Sequence, residues 1–112
     1  MSCLFCEIAK GNIPSTKVYE DELVYAFRDI APQAPVHVLL IPKKHIESAQ
    51  TLTGEDDALL CHMFACARQI AESEGVAKTG YRIVTNVGDD AGQSVHHLHL
   101  HLIGGKTLKW DN

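Results

Sequence analysis

No apolar run in this 112-residue chain approaches the length needed to cross a bilayer; the longest aliphatic stretch lies near Val38–Ile41. The opening Met-Ser-Cys also lacks the charged-then-apolar pattern of a secretory leader. These absences make the cytoplasm the expected compartment and leave no role for a membrane. In that compartment four cysteines are thiols or metal ligands rather than structural disulfides. Positive charge is not in excess either. With Lys+Arg 10 against Asp+Glu 14 the net charge is −4. That argues against a nucleic-acid partner, although local donors could still hold a nucleotide. Internal repeats, linkers and low-complexity segments are missing, so residues 1–112 are expected to form a single domain. Its 46% apolar and 21% charged content is ordinary for a packed globular chain.

What the chain does have is concentrated in one run, Gln93-Ser-Val-His-His-Leu-His-Leu-His-Leu-Ile-Gly-Gly105. His97, His99 and His101 alternate with Leu98, Leu100 and Leu102. In an extended strand, successive side chains point to opposite faces. Three imidazoles then share one face, about 6.5–7 Å apart along the strand, and three leucines share the other. A leucine face packs on a core, whereas a histidine face suits metal, phosphate or proton transfer. The plain alternative is a polar strand face that happens to use histidine. A flexible metal-binding tract would not be interleaved with leucine.

The remaining elements follow from local patterns. Cys3–Lys10 reads as a short helix stopped at Gly11. Lys17–Glu20 and Leu23–Arg28 read as strands joined at Asp21-Glu22. The two prolines of the 29–35 segment make it a restricted loop. His37–Ile41 is a short strand closed by Pro42. Thr53 predicts an N-cap, with Asp56 in the capping position, for a long helix running to about Glu74 and stopped by Gly75. The buried stripe of that helix is expected at Leu60, Met63, Phe64, Ala67, Ile70 and Ala71. Cys61 and Cys66 are expected there as buried or half-buried hydrophobes, and His62 at solvent or a helix edge. Tyr81–Asn86 and Val95–Ile103 complete five strands, the last two pairing antiparallel. The order predicts an α+β fold: a mostly antiparallel five-stranded sheet, one long helix and a short N-terminal helix.

Two further features sit near the histidines. Cys3-Leu-Phe-Cys6 can supply two of the four ligands that zinc takes, and His45 and His97 could supply the others in a structural Cys2His2 site. A redox pair and two unligated thiols remain as rivals. The turn Gly92-Gln93-Ser94 could cradle a phosphate through adjacent amides and the serine hydroxyl, or be an ordinary hairpin loop.

The run His97-Leu-His99-Leu-His101-Leu-Ile103 resembles the signature of the histidine triad superfamily. The likeness extends to Cys3-Leu-Phe-Cys6-Glu-Ile with Ile13-Pro14, and to Phe27-Arg-Asp-Ile-Ala-Pro-Gln-Ala-Pro-Val-His37. It continues through Ile41-Pro-Lys-Lys-His45, Gly80-Tyr-Arg-Ile-Val-Thr-Asn86 and the Gly104-Gly105 to Trp110 tail. It is closest to the nucleotide-binding branch. The resemblance implies that His99 attacks an α-phosphorus to form a nucleotidyl-histidine, that His101 contacts the phosphate oxygens, and that His37 hydrogen-bonds the nucleophilic ring. It implies ribose contacts at Asp29 with Ile30, and purine-pocket walls at Phe5 and Phe27. Asn86, Gln93 and Ser94, beside Gly92, would lie around the phosphate. Zinc on Cys3, Cys6, His45 and His97 and a homodimer with a continuous sheet are implied as well. His96 departs from relatives, which often carry an aromatic there; strand parity predicts it on the leucine face.

The reading that follows is a hydrolase of purine nucleoside phosphoramidates or nucleotidyl compounds, releasing AMP or GMP. A nucleotide-binding regulatory protein with little catalysis and a zinc-binding interaction module are the alternatives.

Overall fold

The structure, a computed structural model, describes residues 3–110. Residues 1–2 and 111–112 of the expected 1–112 domain lie outside the described residues. In chain order the elements are α1 (Leu4–Ala9), β1 (Lys17–Glu20), β2 (Val24–Arg28), β3 (Val36–Pro42), α2 (Asp57–Ser73), β4 (Tyr81–Val84) and β5 (Leu100–Gly104). The five strands form one antiparallel sheet in the order β1-β2-β3-β5-β4.

Strand β3 is central and buried along its whole length. Val36, Val38 and Leu40 pack with Met63, Cys66, Ala67, Ile70 and Ala71 of α2 on one side of the sheet. Leu39 and Ile41 pack with Phe5, Ile8, Tyr25 and Phe27 under α1 on the other. An almost uninterrupted apolar run is what a strand covered on both faces requires. The histidine face shares its side of the sheet with α1.

The capping box expected at Thr53 forms, but it caps a 3-10 turn that leads into α2 rather than α2 itself. Thr53 Oγ1 accepts the Glu55 amide at 3.2 Å, and Asp56 Oδ2 accepts the Thr53 amide at 3.1 Å. The first turn, Gly54–Asp56, is 3-10 rather than α. The helix ends at Ser73 with Glu74 as its C-cap; the Glu74 carboxylate pairs with Arg28 at the end of β2, and Gly75 takes the positive φ of 77° that follows. Phe64 and Cys61 depart from expectation. The sheet covers the Met63–Ala67–Ile70 side of the helix, leaving Phe64 41% exposed and Cys61 at solvent.

The last strand is shorter than its sequence suggests. Val95–Ile103 alternates throughout, yet ladder pairing begins only at Leu100. The approach is held by other bonds: the Leu98 amide donates to Ile46 O at 2.6 Å and the His97 amide to Val95 O at 2.9 Å. Strand β4 likewise stops at Val84 instead of Asn86, because the Thr85 hydroxyl donates to His99 O at 2.8 Å where the ladder would continue. Alternation survives without the ladder, and Leu98, Leu100 and Leu102 all enter the α2-side core. His96 does not join them; it is exposed on the bend before His97.

Candidate functional site

Hydrogen bonds to fixed partners assign a tautomer to each histidine of the triad face. His97 Nε2 lies 2.8 Å from Pro42 O, a carbonyl that can only accept. The proton is therefore on Nε2, and Nδ1 presents a lone pair. His99 Nδ1 lies 2.7 Å from His97 O, so its proton is on Nδ1 and its Nε2 carries the lone pair. His101 is set at one remove. The Gln33 amide donates to His37 Nδ1 at 3.1 Å, which puts the His37 proton on Nε2. That proton reaches His101 Nδ1 at 3.0 Å, leaving His101 with an Nε2–H donor. The rings of His99 and His101 have centroids 5.0 Å apart. An unprotonated ring nitrogen and a ring N–H donor thus belong to neighbouring imidazoles. His37 serves His101, not His99, contrary to the sequence expectation; the Nδ1–H of His99 donates to the carbonyl of His97 instead.

Burial controls the charge of this array. It pushes the basicity of His101 down to about 4, with His99 and His37 adding to the effect. Burial also lowers His37, partly offset by Asp29, whose Oδ2 lies 3.4 Å from His37 Nε2. Near neutral pH both rings are uncharged hydrogen-bonding groups.

The other predicted residues are placed unequally. Phe5 stands edge-on to His99 with centroids 5.0 Å apart and to Phe27 at 5.5 Å; both phenylalanines are buried. Asp29 accepts the Ala31 amide at 2.8 Å, and the neighbouring Ile30 is fully exposed. Asn86 and His101 line a cleft of about 390 Å³ together with Gln33, Arg82, Val84 and Trp110. Arg82 donates to Lys109 O at 2.9 Å and lies 6.0 Å from the Trp110 ring centre, which ties the tail to this cleft.

The Gly92 turn differs from a phosphate cradle. The Gly92 amide donates to Asp89 O and the Gln93 amide to Gly88 O, so neither is offered to a ligand. The Gln93 side chain is buried, accepting from the Gly88 amide and donating to Glu47 O and Val95 O at 2.8 and 3.2 Å. It braces the loop. Ser94, which is exposed, is the outward-facing member of the turn.

Cys3, Cys6, His45 and His97 converge, with ligand atoms within 4.8 Å of one another. Cys3 Sγ and Cys6 Sγ lie 3.4 and 3.5 Å from His97 Nδ1, Cys6 Sγ lies 3.4 Å from His45 Nδ1, and the two Nδ1 atoms are 3.2 Å apart. A tetrahedron with zinc–sulfur bonds of about 2.3 Å and zinc–nitrogen bonds of about 2.0 Å has edges of roughly 3.3–3.8 Å, those between sulfur and nitrogen being about 3.5 Å. The set therefore fits a zinc ion. The bond from His97 Nε2–H to Pro42 O is the outer contact that frees Nδ1 for a metal.

Gln33, Thr85, Arg82 and the backbone of Pro42 were not singled out by the sequence. Only Gln33 offered a signal, being four residues before His37 on a proline-bounded loop.

The comparisons with known proteins agree with this geometry. The model of the HIT domain matches residues 10–108. The purine nucleoside phosphoramidase of Escherichia coli (strain K12) is 46% identical over 105 residues, covering 94% of this chain and 88% of that protein. An uncharacterized HIT-like protein of Synechococcus elongatus is 50% identical over 107 residues, covering 96% and 93%. The crystal structure of a HIT family hydrolase from Legionella pneumophila matches with a TM-score of 0.96 at 50% identity, covering 97% of both chains. Domain match, overall likeness and a three-histidine face with fixed tautomers lead to one assignment: this chain belongs to the HIT, or histidine triad, family.

Proposed function

We propose that this protein hydrolyses purine nucleoside phosphoramidates and related nucleotidyl compounds at the α-phosphorus, releasing a nucleoside 5′-monophosphate. The observation that carries the reading is the pairing of a lone-pair nitrogen on His99 with an N–H donor on His101. A relative sharing 46% of its residues is a purine nucleoside phosphoramidase.

In the first step His99 Nε2 attacks phosphorus, the new phosphorus–nitrogen bond forms, and the bond to the amine breaks. The His99 ring becomes cationic, and its Nδ1–H bond to the His97 carbonyl stabilises that charge. His101 Nε2–H donates to a phosphate oxygen. An anionic phosphate beside His101 raises its proton affinity. The departing amine takes up a proton from solvent on the substrate nitrogen as its bond to phosphorus breaks, while His101 keeps its Nε2–H on the phosphate oxygen. Water then attacks the same phosphorus and releases its proton to solvent, and His99 leaves as the neutral imidazole it was.

Asp29 is suited to the ribose hydroxyls. Ile30, with Phe5 and Phe27 behind the triad face, would give the base an apolar surface; Asn86, which lines the cleft with His101, and the exposed Ser94 would border the phosphate. Gln93 shapes this region indirectly through the loop, as does Gly92 with its φ of 80°. Zinc held by Cys3, Cys6, His45 and His97 would tie the N-terminal segment to the end of β3, a structural role that leaves the chemistry to His99. We take the whole chain, residues 1–112, as one HIT-like domain acting in the cytoplasm, with no nucleic-acid partner. A homodimer would continue the sheet through the edge strand β4, with Phe64 and Trp110 as exposed apolar surface. No helix among the described residues is long and apolar enough to cross a membrane.

The test is mass spectrometry after brief mixing with a panel of nucleoside phosphoramidates. A mass gain of one nucleotide in the native protein, absent in His99→Ala, supports the reading. Tight AMP binding without adduct or turnover would replace it with a binding protein. Ligand binding that depends on metal but not on His99 would replace it with a zinc module.

A further inference from the structure

A second group of metal-ligating side chains lies on the α2 side of the sheet, away from the histidine face. His62 and Cys66 are one helical turn apart on α2 and so share a face. Asp21 approaches them from the turn between β1 and β2. His62 Nε2 lies 2.7 Å from Asp21 Oδ2, Cys66 Sγ lies 3.6 Å from the same oxygen, and Cys66 Sγ lies 3.4 Å from His62 Nε2. Three different ligand atoms, one each of oxygen, nitrogen and sulfur, lie within 4.8 Å of one another.

The carboxylate is fixed in advance. Asp21 Oδ1 accepts the amides of Leu23 and Val24 at 2.8 and 2.9 Å, which turns Oδ2 toward the helix, and the Tyr19 hydroxyl donates to Oδ2 at 2.8 Å. Without an ion, His62 Nε2–H and Cys66 S–H both donate to Asp21 Oδ2, and the ring nitrogen and the sulfur lie 3.4 Å apart. A divalent cation would satisfy all three atoms at once.

We propose that Asp21, His62 and Cys66 form a second cation site, of the class that takes a borderline-soft divalent ion such as zinc. Oxygen, imidazole and thiolate together favour such an ion over calcium or magnesium. The two edges to sulfur, 3.4 and 3.6 Å, match those of a tetrahedral zinc centre, and they match the Cys–His separations of 3.4–3.5 Å in the four-ligand set. The third edge, 2.7 Å, is a hydrogen bond that opens once the ion replaces the Nε2 proton. Metal entry comes from the solvent side, since the His62 and Asp21 side chains are 36% and 25% exposed while Cys66 is buried. With three protein ligands the fourth position falls to water or to Tyr19 Oη, so this site binds more weakly than the one with four. Occupied, it staples the β1–β2 turn to the middle of α2.

The test is titration of chelator-stripped protein with cobalt(II) and with zinc, read by metal stoichiometry and by the thiolate-to-cobalt absorption band. The native chain is expected to take up two ions. Cys66→Ala and His62→Gln are each expected to lower this to one, the weaker being lost. Cys3→Ser with Cys6→Ser is expected to keep a thiolate–cobalt band that disappears when Cys66→Ala is added. Should the double serine variant fail to fold, the comparison of native protein with Cys66→Ala decides alone. One ion in the native chain, unchanged by Cys66→Ala, overturns the proposal.

Discussion

His99 Nδ1 lies 2.7 Å from the carbonyl oxygen of His97, the residue whose own ring belongs to the cysteine–histidine cluster. One amino acid thus contributes its side chain to a metal-ligand set and its main chain to the tautomer of the neighbouring nucleophile candidate. The orientation of His99 depends on backbone, which cannot be altered by changing a single side chain.

His99→Ala is expected to abolish the nucleotidyl adduct and to lower turnover of a purine phosphoramidate by roughly 10³-fold or more. Intact-protein mass and steady-state release of the monophosphate are the two measurements, with circular dichroism as the control for folding.

His37→Ala removes the donor that fixes His101. Turnover is expected to fall about 10–100-fold, the usual cost of losing an orienting partner behind a functional imidazole. Adduct formation should slow while the adduct itself still appears. Single-turnover kinetics with mass detection separates this outcome from loss of the nucleophile.

Stability is expected to fall on acidification. In the folded chain His101 holds its proton only below about 4, against the ordinary 6.5 once unfolded. Between those values the unfolded chain binds more protons, so stability is full above about pH 6.5, declines toward pH 4 and levels off below. His37 is lowered by burial and acts in the same direction. His101 alone corresponds to on the order of 3 kcal/mol. Urea midpoints across pH 4–8 check the slope, and His101→Asn is expected to flatten it.

Cys3→Ser with Cys6→Ser is expected to lower the thermal midpoint by several degrees, about what 1–2 kcal/mol produces in a domain this size. His99 keeps its bond to the His97 carbonyl, so the adduct should still form. A calorimetric scan and the adduct assay on the same sample test both halves.

Gly104→Ala tests packing beneath β5. A methyl group there would meet Val76 Cβ and Cγ1 at 3.1 Å and Gly80 O at 3.3 Å. About 1–3 kcal/mol of destabilisation is expected, read from denaturant unfolding.

Side-chain alternation was legible from sequence because it depends only on backbone pleat. Leu98, Leu100 and Leu102 reach the core, and the histidines reach the opposite face, although the ladder covers only the second half of the run. The cysteine–histidine convergence was legible because Cys3, Cys6, His45 and His97 are the residue types that zinc takes. Main-chain acceptors were not. Pro42 O meets His97 across a separation of 55 residues, and a carbonyl carries no residue-specific signal. Gln93 misled for the converse reason. A polar side chain in a glycine turn looks like a ligand contact until burial shows its amide already fully used. The helical spacing of His62 and Cys66 was visible, but Asp21 comes from a turn 41 residues from His62, so nothing local joined the three.

Strand β3 has no side that faces water, and this limits how the chain can vary. Adding or deleting one residue within Val36–Pro42 would exchange the positions of His37, Leu39 and Ile41 with those of Val38 and Leu40, burying an imidazole against α2 and emptying the relay to His101. Insertions and deletions during divergence, or in engineering, are therefore confined to the flanking loops, whose length can change while the inner strand keeps its count.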